Sequence, residues 1–222
     1  MIEWCDVMHE LSEYTAGIEL IEENIEQYKL PSPEQIIIHR GLSKREIYIN
    51  FPIDDELLDI CLEIINWNKE DYENNIPVEK RNPIKIFINS SGGDLDITMN
   101  LLSIIETSKT PVYTIGMAKC YSSGGLILLS GHKRFIFENT YFLLHNGYCT
   151  IGGDTAKVQD TIEFNNKCEE KIKNIILKKT NISKEEYQSK YRSDWYMTSD
   201  EIIKYGVADK IINSIDELFE LS

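Results

Sequence analysis

A serine at a tight turn is the clearest chemical signal in this sequence of 222 residues. The turn is Ser122-Ser-Gly-Gly125; it follows the apolar segment 111–116 and precedes the apolar segment 126–129. These flanks predict a buried strand before the turn and a buried helix after it. The first N–H groups of a helix lack partners within the helix, so they can stabilise an anion or a developing oxyanion. Ser122 is therefore a candidate nucleophile, although such a turn alone is more often only a turn.

A serine hydroxyl near neutral pH needs a general base, and the sequence offers His9, His39, His132 and His145. His145 is the best placed of them, because it ends the apolar strand predicted over 141–145. A histidine held only by backbone hydrogen bonds is the alternative interpretation. A carboxylate that keeps the imidazole in one tautomer would complete a triad, and Asp194 is a candidate for that role. An aspartate ahead of a helix is also typical of a turn or a cap.

A second turn, Asn89-Ser-Ser-Gly-Gly93, supplies what the serine turn lacks. It has no large side chain, so its backbone can approach a substrate closely. The N–H of Gly93 and the N–H of Ser123, the residue after the candidate nucleophile, are predicted to form an oxyanion hole with two donors.

The elements that position these turns alternate between strand and helix. We predict strand 84–89, helix 95–106 and strand 112–116, and then strands 134–137 and 141–145. Strands and helices of these lengths that alternate along the chain indicate right-handed βαβ units and a mostly parallel sheet, and hence an α/β fold. Both serine–glycine turns fall at the carboxyl ends of strands, where active sites lie in such sheets.

The N-terminal part differs from the rest of the chain. Residues 1–30 have apolar positions at three- and four-residue steps, which predicts an amphipathic helix that ends at the prolines of 31–33. A strand is expected at 35–39 and another at 46–50. We therefore divide the chain into an N-terminal helical extension, 1–33, and one domain, 34–222.

The C-terminal part is predicted to be mainly helical. A helix over 155–179 has a mostly charged surface, so it is expected to project or to pack against another chain. Capping-box sequences at 183–186 and 198–201 predict two short helices, and a strand is expected at 207–212.

Composition excludes several classes of protein. The formal net charge of −14 disfavours a nucleic-acid backbone as a partner. No apolar run is long enough to span a membrane and no signal peptide is recognisable, so we expect a cytoplasmic protein. The cysteines number five and have no CxxC pair, which argues against a disulfide framework and a zinc site. No metal or cofactor is expected.

Several motifs together resemble the ClpP serine peptidases, over a stretch that runs from about Arg45 to the C-terminus. They are Ile88-Asn-Ser-Ser-Gly-Gly93, Ile115-Gly-Met-Ala-Lys-Cys-Tyr-Ser-Ser-Gly-Gly125, Phe142-Leu-Leu-His-Asn146, Asp194-Trp-Tyr-Met-Thr-Ser-Asp-Glu201 and Tyr205-Gly-Val-Ala-Asp209. By position, the resemblance implies that Ser122 is the nucleophile, His145 the general base and Asp194 the orienting acid. It implies that Gly93 and Ser123 supply the oxyanion donors.

The resemblance also implies a crotonase-like (ClpP-like) fold of stacked βαβ units, with the helix over 155–179 as a projecting handle. It further implies homo-oligomeric rings, as a heptamer or double heptamer, a peptide or unfolded-protein substrate, and an AAA+ unfoldase as a candidate partner. The leading hypothesis is a serine endopeptidase that works through an acyl-enzyme. A catalytically silent scaffold subunit and a crotonase-type acyl-CoA hydrolase or hydratase are the alternatives.

Overall fold

A computed structural model describes residues 32–190 and 192–221. The chain divides into two units, Met1–Arg40 and Gly41–Ser222. The amphipathic helix predicted over 1–30 lies outside the described residues, and the division into 1–33 and 34–222 stays a prediction.

Helices and strands alternate through the described residues, as follows. The helices are Pro33–Leu42 (α1), Leu57–Glu73 (α2), Leu95–Thr107 (α3), Ser123–Ser130 (α4), Thr155–Lys179 (α5), Lys184–Lys190 (α6), Ser199–Lys204 (α7) and Asp216–Phe219 (α8). The strands are Glu46–Ile49 (β1), Ile84–Ser90 (β2), Val112–Tyr121 (β3), Lys133–Phe137 (β4), Tyr141–Leu144 (β5), Trp195–Met197 (β6) and Lys210–Ile212 (β7).

The strands form one mostly parallel sheet in the order β1-β2-β3-β4-β7. Strand β3 is long enough to have two neighbours on one side. Its first half, Tyr113–Gly116, pairs with β4, and its end, Lys119–Tyr121, pairs in parallel with β5. Strand β6 then pairs with β5 in the antiparallel sense. The predicted α/β fold with a parallel sheet is confirmed, and β3 is longer than the predicted strand.

Apolar side chains cover both faces of the sheet. On β2, Ile84, Ile86 and Ile88 belong to the large core that includes residues of α2, α3 and α4. Phe87 points to the other face, where Tyr113, Ile115, Phe135 and Ile212 form a second cluster with Leu218 and Leu221. This alternation follows from the two-residue period of a strand, and burial on both faces is characteristic of parallel sheets.

The strand expected at 35–39 is wrong, because these residues lie in helix α1. Ser32 and Gln35 form a reciprocal cap: the Ser32 N–H donates to Gln35 Oε1 (2.8 Å) and the Gln35 N–H donates to Ser32 Oγ (3.2 Å). Pro33 is the first helical residue, where its missing N–H has no cost. The cap and the proline outweigh the β propensity of the three isoleucines that follow.

An ion pair ties β1, α2 and β3 together beside the sheet. Arg45 donates two hydrogen bonds to the Asp71 carboxylate (2.9 and 2.8 Å), and the Thr110 hydroxyl donates a third (2.7 Å). Asp71 is only 1% exposed. Burial alone would raise the pKa of the Asp71 carboxyl, but the hydrogen bonds from Arg45 and Thr110 and the charges of Arg45 and Arg81 outweigh it and the pKa is lowered.

We predict that Asp71→Asn destabilises the protein by about 3 kcal/mol, because it removes the buried partner of Arg45 and leaves only the exposed Glu70 carboxylate, 3.6 Å away. Since folding lowers the Asp71 pKa, the pair contributes stability above the ordinary aspartate pKa of about 4 and loses it as the pH falls through the folded-state value. Urea unfolding at several pH values should therefore give a difference between wild type and variant that shrinks on acidification. A matched control is Glu73→Gln, which removes the exposed Lys69–Glu73 pair (3.8 Å). It should cost less than about 1 kcal/mol, and an equal loss in both variants would contradict the prediction.

Candidate active site

Ser122 sits between β3 and α4 in a backbone conformation that few side chains adopt. Its φ is 52° and its ψ is −121°. A positive φ costs a non-glycine residue of the order of 1–3 kcal/mol, so the surrounding structure must enforce it. The Ser122 N–H donates to the Leu143 carbonyl of β5 (2.9 Å), and the Ser122 carbonyl accepts from the Leu126 N–H (3.1 Å). These two bonds fix the turn from both sides and leave the side chain half-buried.

The turn at 89–93 lies against the serine turn at 122–125. Ile53 bridges to Gly93 in parallel, because its N–H donates to the Gly92 carbonyl and its carbonyl accepts from Asp94 (both 2.9 Å). In such a bridge the N–H and carbonyl of Gly93 point away from Ile53. The Gly93 carbonyl accepts from the Ser123 hydroxyl (3.1 Å), so the structure brings the two predicted oxyanion donors side by side.

The glycines of the second turn make this approach feasible. Gly92 has φ +94°, and a Cβ atom on it would lie 2.7 Å from the Ser122 Cβ and 2.8 Å from the Tyr121 carbonyl oxygen. Gly93 has φ +155°, and a Cβ atom there would collide with the Ile53 backbone. Gly93 was among the site residues predicted from the sequence, but Gly92 was not. Its position next to Gly93 in the same turn could have indicated that it also lies at the site.

His145 follows β5 directly and lies in the wall of the same cavity as Ser122. The other described histidines have different settings. His132 accepts a hydrogen bond at Nδ1 from the Val112 N–H (2.8 Å), and burial together with the charge of Lys179 lowers its pKa. It therefore has a structural role, while His39 lies in α1 and His9 lies outside the described residues.

Asp194 is placed near His145 by strand pairing. It immediately precedes β6, whose antiparallel register pairs Trp195 with Leu144 of β5. Extending that register by one residue sets Asp194 opposite His145, and directly opposed residues of such a pair have Cβ atoms about 5 Å apart. Asp194 is exposed and is not part of the cavity wall. Within residues 32–190 and 192–221, no hydrogen bond or ion pair joins Ser122 to His145 or His145 to Asp194.

A cavity of about 750 Å³ connects these groups. It is lined by Ser122, Ser123 and Gly93, by one face of α5 and by the segment that links β5 to α5. The acidic side chains in the lining are Asp94, Asp96 and Glu169, and the apolar ones are Leu95, Leu126, Leu144, Tyr148, Phe164 and Ile172. Residues 147–153 were not among the site residues predicted from the sequence.

The described part of the chain has neither a metal-binding cluster nor a membrane-spanning helix. It contains no group of three or more His, Cys, Asp or Glu side chains that could hold a metal ion. In the same residues, every helix is too short or too polar to cross a bilayer.

The fold and the cavity define an α/β protein with a serine at a strand-to-helix turn. The family model described as Clp protease matches residues 33–215. The chain therefore belongs to the Clp protease family, as the sequence resemblance indicated.

Three relatives illustrate the distance within the family. The chain is 25% identical over 195 residues to the ATP-dependent Clp protease proteolytic subunit 2 of Treponema pallidum, covering 84% of this chain and 92% of the relative. It is 26% identical over 181 residues to the protein of the same name from Tropheryma whipplei, covering 80% and 96%. It is 26% identical over 178 residues to the ATP-dependent Clp protease proteolytic subunit of Paracoccus denitrificans, covering 79% and 85%.

We predict that Gly92→Ala displaces Ser122, because the new methyl group would overlap the Ser122 side chain. Strain at a positive φ should lower the free energy of unfolding by about 1–3 kcal/mol, and if Ser122 is the nucleophile, its displacement should lower peptide hydrolysis about 100-fold. Thermal unfolding and turnover of a fluorogenic peptide measure the two effects. Gly152→Ala is the control, since nothing lies within 4 Å of a Cβ atom there. Equal behaviour of the two variants would contradict the close approach of the two turns.

Proposed function

We propose that the chain is a serine endopeptidase that cleaves peptide bonds through an acyl-enzyme. The observation that carries this proposal is the position of Ser122 at a strained strand-to-helix turn, in one cavity with His145 and with the backbone of Gly93 and Ser123. The Clp protease family match, and relatives that are named proteolytic subunits, support the same class of reaction.

In the proposed reaction, Ser122 Oγ attacks the carbonyl carbon of the scissile bond while His145 takes the hydroxyl proton. The oxygen of the tetrahedral intermediate accepts hydrogen bonds from the Gly93 and Ser123 N–H groups. Each such donor is typically worth about 100- to 1000-fold in rate. His145 then gives the proton to the leaving amine, and water attacks the acyl-enzyme with His145 again as the base.

Asp194 is proposed to hold the His145 imidazole in the tautomer that can accept the serine proton. In the described residues Asp194 and His145 make no hydrogen bond to each other, so this contact must form on substrate binding or on assembly. Hydrogen bonds in active sites are often long without substrate and tighten in the reacting complex.

A silent scaffold subunit is the second candidate, and the absence of any hydrogen bond among Ser122, His145 and Asp194 in the described residues favours it. In that case the strained turn would persist as an inherited feature of the fold, and the subunit would contribute only contacts to an assembly. Reactivity of Ser122 separates the two candidates, because a serine without an aligned base does not react faster than any other exposed hydroxyl.

The proposed substrate is an unfolded polypeptide or peptide, which suits an open cavity lined by both acidic and apolar side chains. We propose homo-oligomeric rings, heptameric or doubly heptameric, with α5 at a contact between subunits. Only Ile176 of α5 is buried, and Phe164 is 59% exposed, as expected for a helix that meets another chain. An AAA+ unfoldase is the proposed partner, and the names of the relatives contain the words ATP-dependent.

We predict that a fluorophosphonate labels the protein once and that Ser122→Ala abolishes the label. Reaction requires both the nucleophile and its base, so His145→Ala should also lower the labelling rate by at least about 100-fold. Intact-mass spectrometry measures the adduct and peptide mapping locates it.

Ser91→Ala is the matched control, because Ser91 is an exposed hydroxyl in the wall of the same cavity. This variant should keep the label at Ser122. No adduct on a protein whose circular dichroism shows a folded chain would contradict the peptidase proposal and favour the silent scaffold.

We predict that native mass spectrometry finds the chain in rings of seven or fourteen copies. Phe164→Glu should shift the population to smaller species, because it introduces a charge into the exposed apolar part of α5. Lys171→Glu is the control for a change of charge elsewhere on the same exposed helix. A monomer at micromolar concentration for the wild-type chain would contradict the proposed assembly.

A further inference from the structure

Two free cysteines lie in the wall of the cavity that contains Ser122. Cys149 is exposed in the segment between β5 and α5, and Cys168 is half-buried on α5. The mechanism proposed above uses neither thiol. Both thiols therefore line the same cavity as the candidate nucleophile and have no assigned role.

A direct contact joins Cys149 to α5, the helix that carries Cys168. The Asn165 side-chain amide of α5 donates to the Cys149 sulfur at 3.4 Å. Cys168 is three residues after Asn165, so their side chains are neighbours on the helix, with Cβ atoms about 5–6 Å apart. Asn165, Cys168, Glu169 and Ile172 all line the cavity, which shows that this face of α5 points into it. The Cys149 sulfur therefore contacts the residue of α5 that lies about one helical turn before Cys168.

The segment that carries Cys149 has room to complete the approach. Residues 145–154 form no helix or strand. A Cβ atom added at Gly147, Gly152 or Gly153 would find nothing within 4 Å. A disulfide needs Cα atoms about 4.4–6.8 Å apart, and a short movement of an open segment over a rigid helix can meet that condition.

The other described cysteines have a different environment. Cys61 and Cys120 are buried in the core, and burial raises the pKa of Cys61 to about 11 and that of Cys120 further. Thiols react as thiolates, so these two are protected from oxidants and serve as controls within the same molecule.

We propose that Cys149 and Cys168 are a thiol pair that peroxide oxidises to a disulfide across the cavity of Ser122. One thiolate attacks hydrogen peroxide to give a sulfenic acid and releases hydroxide, which takes a proton to become water. The other thiolate then attacks the sulfenic sulfur, forms the S–S bond and displaces a second hydroxide, which also becomes water. In total, two thiols and one peroxide give one disulfide and two water molecules.

The disulfide ties the segment 145–154 to α5, and His145 begins that segment. It therefore restricts entry to the cavity and fixes the main chain next to the proposed base. This consequence rests on the proposed peptidase function, whereas formation of the disulfide does not. A reducing agent reverses the bond, so the effect on hydrolysis is reversible.

The test treats the full-length chain with hydrogen peroxide and maps its peptides without reduction. We expect one cross-linked pair of peptides containing Cys149 and Cys168, while Cys61 and Cys120 remain alkylatable after unfolding. Hydrolysis of a fluorogenic peptide should fall about 10- to 100-fold and return after dithiothreitol, because small displacements of catalytic groups cost about that much. Cys5 lies outside the described residues, so the experiment is repeated with Cys5→Ser.

Cys149→Ser and Cys168→Ser are the matched variants, and each is compared with its own rate before oxidation. Neither variant should form the cross-link, and the hydrolysis rate of each after oxidation should equal its rate before oxidation. Oxidation of Cys149 alone to sulfinic acid, or a disulfide between two chains, would overturn the proposal. A cross-link that leaves hydrolysis unchanged would overturn the proposed closure of the cavity. A cross-link in a chain that never hydrolyses peptides supports the thiol pair and contradicts the peptidase, so the two failures are distinguishable.

Discussion

The site depends on one backbone constraint, the positive φ of Ser122 where β3 passes into α4. A β-region or helical φ at this residue would extend the strand or begin the helix earlier, and the hydroxyl would leave the cavity. The structure holds the strained conformation with the bond from the Ser122 N–H to Leu143 and with the close packing of Gly92. The first amides of α4 are then available for an anion, since a helix cannot satisfy them itself.

The pairing of β3 with β5 places the histidine in the same cavity as the serine. Strand β3 is long, and its end pairs with β5 so that Tyr121 lies opposite Leu143. Ser122 therefore bonds to β5 two residues before His145, and the histidine needs no contact of its own to reach the cavity. The antiparallel pairing of β5 with β6 ends at Leu144 and Trp195, the residues next to His145 and Asp194. Two neighbouring strand pairs thus bring together three segments that are far apart in the sequence.

Much of this arrangement is predictable from the sequence, because the turn residues fall where the spacing of apolar residues predicts that strands and helices end. The strand before Ser122, the helix after it and the strand before His145 all have local signals that tertiary packing reinforces. In residues 35–39, three β-branched isoleucines favour a strand, whereas the cap formed by Ser32 and Gln35 favours a helix. The segment is helical because the cap stabilises the first turn. The cavity wall is not predictable in the same way, since the segment 146–154 has no period and α5 approaches it only through the fold.

The two halves of the site differ in how firmly they are held. The Ser123 hydroxyl joins the two turns through the Gly93 carbonyl, and Ser122 is held by its backbone bonds to Leu143 and Leu126. The sequence analysis gave a role only to the Ser123 N–H, and the structure shows that the Ser123 side chain also joins the two turns. His145 has no such connection to Ser122 or to Asp194 in the described residues, and the segment after it is open. The proposed oxyanion side is therefore preorganised, whereas in the proposed mechanism alignment of His145 draws on the free energy of a bound substrate or of a neighbouring subunit. The proposed disulfide acts on this less firmly held half, because Cys149 lies in the segment that follows His145.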